Sequence, residues 1–103
     1  MNYRIHRTIY VTDPVIEYKN LSGLRWDEIL QDAFNTREIN RFLYNSEYKL
    51  HAKRLSSLYM DVQLYECIEE ESNRMRISVS KYITLLLHDY VSQKDENVSR
   101  ETL

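Results

Sequence analysis

The chain is poor in the residues that punctuate a polypeptide: it has one glycine, Gly23, and one proline, Pro14, in 103 residues. So little turn chemistry leaves few points of reversal, and helix is expected to dominate. The single cysteine, Cys67, excludes an internal disulfide and fits a reducing interior. Long hydrophobic runs are missing too. The longest, Tyr82–Leu87, is interrupted by Thr84 and falls far short of a membrane span. The first residues show no apolar core of a signal sequence, so secretion is not expected and the cytoplasm is the expected location. What is present is ordinary for a soluble globular protein, 43% hydrophobic and 29% charged. The length suits one domain, or two small units sharing a core.

Excess charge is also lacking. The formal net charge is −2, which by itself argues against a nucleic-acid partner. Its distribution is uneven: residues 1–60 hold 9 Lys/Arg against 7 Asp/Glu, and residues 61–103 hold 5 against 9. Basic residues gather at Arg4/Arg7, Lys53/Arg54 and Arg74/Arg76. Such segregation permits an anionic partner at one surface.

Residues 4–12 alternate β-branched and aromatic side chains, with Ile5, Ile9 and Val11 on one face and His6, Thr8 and Tyr10 on the other. Asp13 is the expected N-cap and Pro14 the first residue of a short helix, 14–22, which Gly23 terminates in the left-handed conformation. A second helix is expected from about Arg25 to Asn35. Asn35-Thr36-Arg37-Glu38 resembles a capping box, predicting a third, connecting helix over 36–46. A second strand begins near Lys53, with Leu58 and Met60 facing one way and Leu55, Ser57 and Tyr59 the other. Then come a helix over 62–75, carrying Leu64, Ile68, Ser72 and Met75 on one side, and Ser78 as the N-cap of a helix over 79–92. That last helix has an apolar stripe of Val79, Ile83, Leu86, Leu87 and Tyr90. Beyond Gln93 the chain is polar and aperiodic and is expected to fray.

The two halves repeat one another. Gly23–Phe34 aligns without gaps on Arg76–Leu87, setting Trp26 on Val79, Ile29 on Tyr82, Leu30 on Ile83, Ala33 on Leu86 and Phe34 on Leu87. Upstream, Tyr10 matches Tyr59, Thr8 matches Ser57 and Ile9 matches Leu58. The first helices differ by four residues, close to one turn, so the buried face is nearly unrotated. The expected organisation is a first unit over 1–35, a connector over 36–52, a second unit over 53–92 and a polar tail over 93–103, together one compact domain.

These residues resemble the ribbon-helix-helix (MetJ/Arc/CopG) superfamily. Its second helix opens with a pattern close to G-R-S-V-S-E-L-I-R-E-A-L. Gly23–Phe34 follows the apolar positions of that pattern, and Ile77-Ser78-Val79-Ser80-Lys81 follows it almost literally. Leu58-Tyr59-Met60-Asp61-Val62-Gln63-Leu64-Tyr65 resembles the family's V-R-L-P-D-E-L-Y. The resemblance covers about 4–35 and 53–92. It implies a mainly α fold with a short two-stranded antiparallel β-ribbon, a tandem β-α-α, connector helix, β-α-α arrangement in which both halves of one chain pair as a pseudo-dimer. The tandem form is similar to transcription regulators of archaeal filamentous viruses, for which the cytoplasm is the host's.

The resemblance also implies a function: double-stranded DNA binding by insertion of the ribbon into the major groove, with possible self-association on the DNA. Carried over by position, base readers are His6, Thr8, Tyr10, Leu55, Ser57 and Tyr59. Phosphate contacts fall to Arg4, Arg7, Arg25, Trp26, Arg54, Arg74, Arg76, Ser78, Val79 and Lys81, through side chains or helix N-terminal amides. The chain departs from the family pattern in having Arg25 for the usual Ser cap and Arg76 for Gly. Leu55 has no hydrogen-bonding group, although it could touch a thymine methyl.

Simpler readings stand beside these. Tyr10 and Tyr59 are equally readable as half-exposed strand residues. His6, His51, His88 and Cys67 match no ligand spacing, so no metal or other cofactor is expected. Glu69-Glu70-Glu71 reads as a solvated helix face, and Ser78 and Ser80 as cap chemistry without a nucleophile's partners, so no enzyme is expected. The rival functions are an antitoxin-like or adaptor protein whose tail binds a partner protein, and a structural protein in which the fold only assembles. No membrane or small-molecule partner is expected.

Overall fold

The structure, a computed structural model, describes residues 4–37 and 54–101, with side chains to Lys94. The order is β1 (Arg4–Val11), α1 (Asp13–Ser22), α2 (Trp26–Asn35), β2 (Arg54–Asp61), α3 (Val62–Met75) and α4 (Val79–Glu101). The protein is thus mainly helical around one two-stranded antiparallel sheet. The connecting helix expected over 36–46 lies outside the described residues except at its first two, where Thr36 ends α2 by donating its N–H to the Asp32 carbonyl at 3.0 Å. No helix among the described residues is long and apolar enough to cross a membrane.

Period-two alternation gives each strand one apolar face. Ile9, Val11, Leu58 and Met60 are buried, and Ile5 is half-buried against them. Two strands alone are marginal in water, so this face needs a helical layer. The layer is crossed: β1 lies against α4, and β2 against α2. The Thr84 hydroxyl of α4 donates to the Tyr10 carbonyl of β1 at 2.7 Å. Ile29, Leu30 and Ala33 of α2 meet Tyr82, Ile83, Leu86 and Leu87 of α4 in the same core, with Val15, Leu64 and Ile68 from α1 and α3. Burying a side chain of this size stabilises by about 1.5–3 kcal/mol. The helix positions aligned between the halves are therefore the positions that are buried or half-buried.

The first helices have 10 and 14 residues, the four-residue difference read from the sequence. Both end in the left-handed region. Gly23 (φ 71°) donates its N–H to the Lys19 carbonyl, a single αL closure. Arg76 (φ 60°) closes a fuller Schellman motif: its N–H meets the Asn73 carbonyl and the Ile77 N–H meets the Ser72 carbonyl, both at 3.1 Å. An L side chain pays for that φ, and the two closing bonds with half-buried Ile77 hold it there.

Three expectations are corrected. The N-cap of α1 is Thr12, not Asp13, and its side chain makes no capping bond. Its hydroxyl lies instead 3.0 Å from His88 Nδ1, a contact with α4 that local pattern reading does not see. Glu71 is not solvated like Glu69 and Glu70; it is buried, accepts from the Tyr82 hydroxyl at 2.7 Å and pairs with Arg37 at 2.8 Å. Burial and the adjoining carboxylate keep the Tyr82 phenol protonated, its pKa far above the ordinary value. The final helix does not stop near residue 92 but runs to Glu101. Its polar residues include no glycine or proline to break it, and an i,i+4 bond from Gln93 to Asp89 (2.9 Å) supports the turn where fraying was expected.

Two stability predictions follow from this packing. A Cβ at Gly23 would meet nothing within 4 Å, so Gly23→Ala tests backbone conformation alone. It is expected to lose about 1 kcal/mol in urea unfolding, whereas Arg76→Gly gains about 0.5–1 kcal/mol after the entropy of an unfolded glycine is offset. For His88, burial depresses the imidazole pKa below 6.5, with Asp89 opposing. The unfolded chain takes up that proton first, so its stabilising contribution is complete above pH 6.5 and is lost as pH falls below it. Thermal melts of the protein should show a steeper loss between about pH 7 and pH 5 than those of His88→Gln.

Candidate nucleic-acid interface

The alternation that buries one face of the ribbon leaves the other uncovered. His6, Thr8, Tyr10, Leu55, Ser57 and Tyr59 are all exposed there. The register sets His6 opposite Tyr59, Thr8 opposite Ser57, and Tyr10 opposite Leu55. The hydroxyls therefore occupy the middle, with a bulky pair on either side. His6 and Tyr59 touch, their ring centroids 4.7 Å apart at a tilt of 38°. Tyr10, Leu55 and Tyr59 are 53%, 58% and 52% exposed, and they make up three of the four exposed large hydrophobic residues among those described. Large hydrophobic residues gathered on one exposed face mark a binding surface more often than a scatter of single residues does.

Cations surround this face unequally. Arg4 lies at its edge, opposite Asp61 and 3.5 Å from Asp27. Arg54 lies at the far end of β2, paired with exposed Asp13 at 3.1 Å. Arg7 behaves differently. Its odd position turns it to the helical side, half-buried, where Nη2 is 3.5 Å from Ser80 Oγ and the guanidinium lies over Tyr65 at 5.8 Å. It reaches the start of α4 from beneath the ribbon and is not part of the outer face.

The two helix starts are chemically unlike. At α4, Ser78 Oγ accepts from the Lys81 N–H at 3.1 Å, no acid occupies the first turn, and Lys81 is exposed. At α2, Arg25 occupies the cap but cannot accept a hydrogen bond. The first turn holds Asp27 and Glu28, which bind the Arg25 guanidinium at 3.2 and 3.1 Å. Asp27 also accepts from the Glu28 N–H at 3.0 Å. Positive charge at this end is therefore cancelled locally. Trp26 and Val79 themselves are half-buried against the core, leaving only their backbones for a ligand.

Beside the α2 start, Arg4, Lys19, Arg25, Trp26, Asp27 and Tyr59 line an open cleft of about 260 Å³. Lys19 lies over the Trp26 ring at 5.5 Å. Sequence reasoning missed Lys19, because α1 shows no relation to the ribbon until the fold brings them together. Arg74 and Arg76 sit at the end of α3, exposed; Arg74 reaches Glu70 at 3.9 Å.

No protein-family model, curated protein or solved structure matches the chain.

Among the described residues no group of His, Cys, Asp and Glu could hold a metal ion. Cys67 is exposed on α3.

Proposed function

We propose that this protein is a sequence-specific double-stranded-DNA-binding transcription regulator, a repressor, built as a tandem ribbon-helix-helix in which two halves of one chain act as the subunits of a dimer. The observation that carries this reading is the register of the ribbon. The sequence equates Thr8 with Ser57 and Tyr10 with Tyr59, and by the same step His6 with Leu55. In the ribbon Thr8 is the partner of Ser57, so the pair equivalent to itself is also the central pair. About that centre, His6–Tyr59 exchanges with Leu55–Tyr10. A pseudo-two-fold axis through the middle of an exposed ribbon is what a quasi-palindromic duplex site requires.

Physical dimensions agree. The major groove is about 12 Å wide and admits a two-stranded ribbon. Outward side chains then face base edges while flanking cations and helix starts meet phosphates. In this chain the phosphate anchors are unequal. The α4 start, with Ser78, Val79 and Lys81 and with Arg7 below, attracts an anion, whereas Asp27 and Glu28 hold back Arg4 and Arg25 at the α2 start.

Selection from random duplexes, followed by fluorescence anisotropy at several salt concentrations, tests the reading. Affinity should fall steeply with salt. Thr8→Ala and Tyr59→Ala should lower discrimination between selected and random duplexes by about 1–3 kcal/mol, whereas Arg54→Ala and Lys81→Ala should weaken both alike and reduce the salt slope by about 1. Equal losses on both duplexes for the strand variants would remove the base-reading assignment. Absence of salt-dependent binding would favour the adaptor or structural alternatives. Asp27→Asn removes the charge that holds Arg4, leaves Arg25 with Glu28 alone, and is expected to strengthen binding to every duplex.

A further inference from the structure

The outer face of the ribbon is short of the groups that ordinarily distinguish bases by hydrogen bonds. Guanine is read by Arg or Lys and adenine by Asn or Gln, each through paired bonds. None of these types occurs among His6, Thr8, Tyr10, Leu55, Ser57 and Tyr59. Arg4 is the one guanidinium on the outer face among the described ribbon residues, and it stands at the end, 3.5 Å from Asp27. What the face does offer is apolar surface on both sides of two small hydroxyls. Leu55 is the clearest case: it is more than half exposed and has no donor or acceptor. The thymine C5-methyl is the apolar group that a base pair displays in the major groove.

We infer that the ribbon reads thymine methyl groups, so that its operator is A·T-rich on both sides of the centre and the methyl carries the discrimination. This rests on the DNA-binding reading above. Tyr10 and Leu55 form the contact on one side of Thr8–Ser57, and Tyr59 with His6 forms it on the other. The Tyr10 backbone is fixed from below by Thr84 at 2.7 Å, and the Tyr59 ring is propped by His6. The apolar surface is therefore presented on a positioned support. The halves differ where His6 stands in place of Leu55. His6 offers a ring nitrogen to a base edge and Leu55 offers only methyl groups, so the two half-sites are unequal, with the stronger thymine requirement on the Leu55 side.

The test uses the full chain and the duplex obtained by selection. Each thymine in turn is replaced by deoxyuridine, which removes the methyl and leaves pairing unchanged. Deoxyuridine at a contacted step should weaken binding about fourfold, equivalent to ~0.8 kcal/mol for one buried methyl-sized group. The same change outside the contacted steps should have no effect. Where thymine on the Leu55 side is changed to cytosine, 5-methylcytosine should recover part of the loss. In Leu55→Ala, an exposed change that circular dichroism should show to be folded, the deoxyuridine penalty on that side should shrink, Tyr10 retaining the rest. If the selected duplex keeps its affinity with deoxyuridine at every position, the methyl inference is overturned while DNA recognition stands. A penalty that persists undiminished in Leu55→Ala, Tyr10→Ala and Tyr59→Ala overturns it as well, because the methyl is then read elsewhere. If selection yields no preferred duplex and binding shows no salt dependence, the DNA-binding reading itself fails, and this inference with it.

Discussion

The structure depends on a two-stranded ribbon that cannot exist by itself. Two strands bury too little to hold their pairing in water, and here each has a face of Ile, Val, Leu or Met that must leave it. The solution is reciprocal: α4 covers β1 and α2 covers β2. Neither half can complete its core without the other, since the strand of one half lies on the long helix of the other. The strands and helices of both parts of the sequence therefore share one core.

Covering one face fixes the use of the other. A strand places successive side chains on opposite sides, so burial of Ile9, Val11, Leu58 and Met60 obliges Thr8, Tyr10, Ser57 and Tyr59 to face outward. A shift of one residue in either strand would send its tyrosine into the core and its leucine or isoleucine into solvent. Core formation thereby holds the exposed row in place, as the proposed reading of base edges requires. Backbone pairing and the bond from Thr84 to the Tyr10 carbonyl anchor the strands that carry the row.

The halves have diverged most where charge is involved. Their buried positions correspond in place but not in size, Ala33 aligning with Leu86 and Ile29 with Tyr82, so the two halves fill complementary parts of one core. Around the ribbon, one helix start has no acidic residue in its first turn and the other is occupied by its own aspartate and glutamate. Inside, Glu71 and Tyr82 of the second half join half-buried Arg37, with no counterpart at Ile29, the residue aligned with Tyr82. Partnered on both sides, Glu71 avoids the large cost of an isolated buried charge. An unequal pair of halves suits the proposed recognition of an imperfect palindrome better than that of a symmetric one.

Local chemistry made much of this legible from residue order alone. Strand alternation, the left-handed Gly23, the Ser78 cap and the one-turn difference between α1 and α3 each depend on a few neighbouring residues, and each appears as expected. The exposed row of six was legible for the same reason. Tertiary structure decided what depends on distant partners. Thr12 faces His88 across 76 positions of sequence, Arg7 turns under the ribbon to Ser80, and Glu71 is drawn inside by Tyr82 and Arg37. Only the fold showed that strand and long helix pair across the halves, and that Thr8 meets Ser57. Periodicity specifies which face of an element is apolar; what covers that face is decided when the whole chain packs.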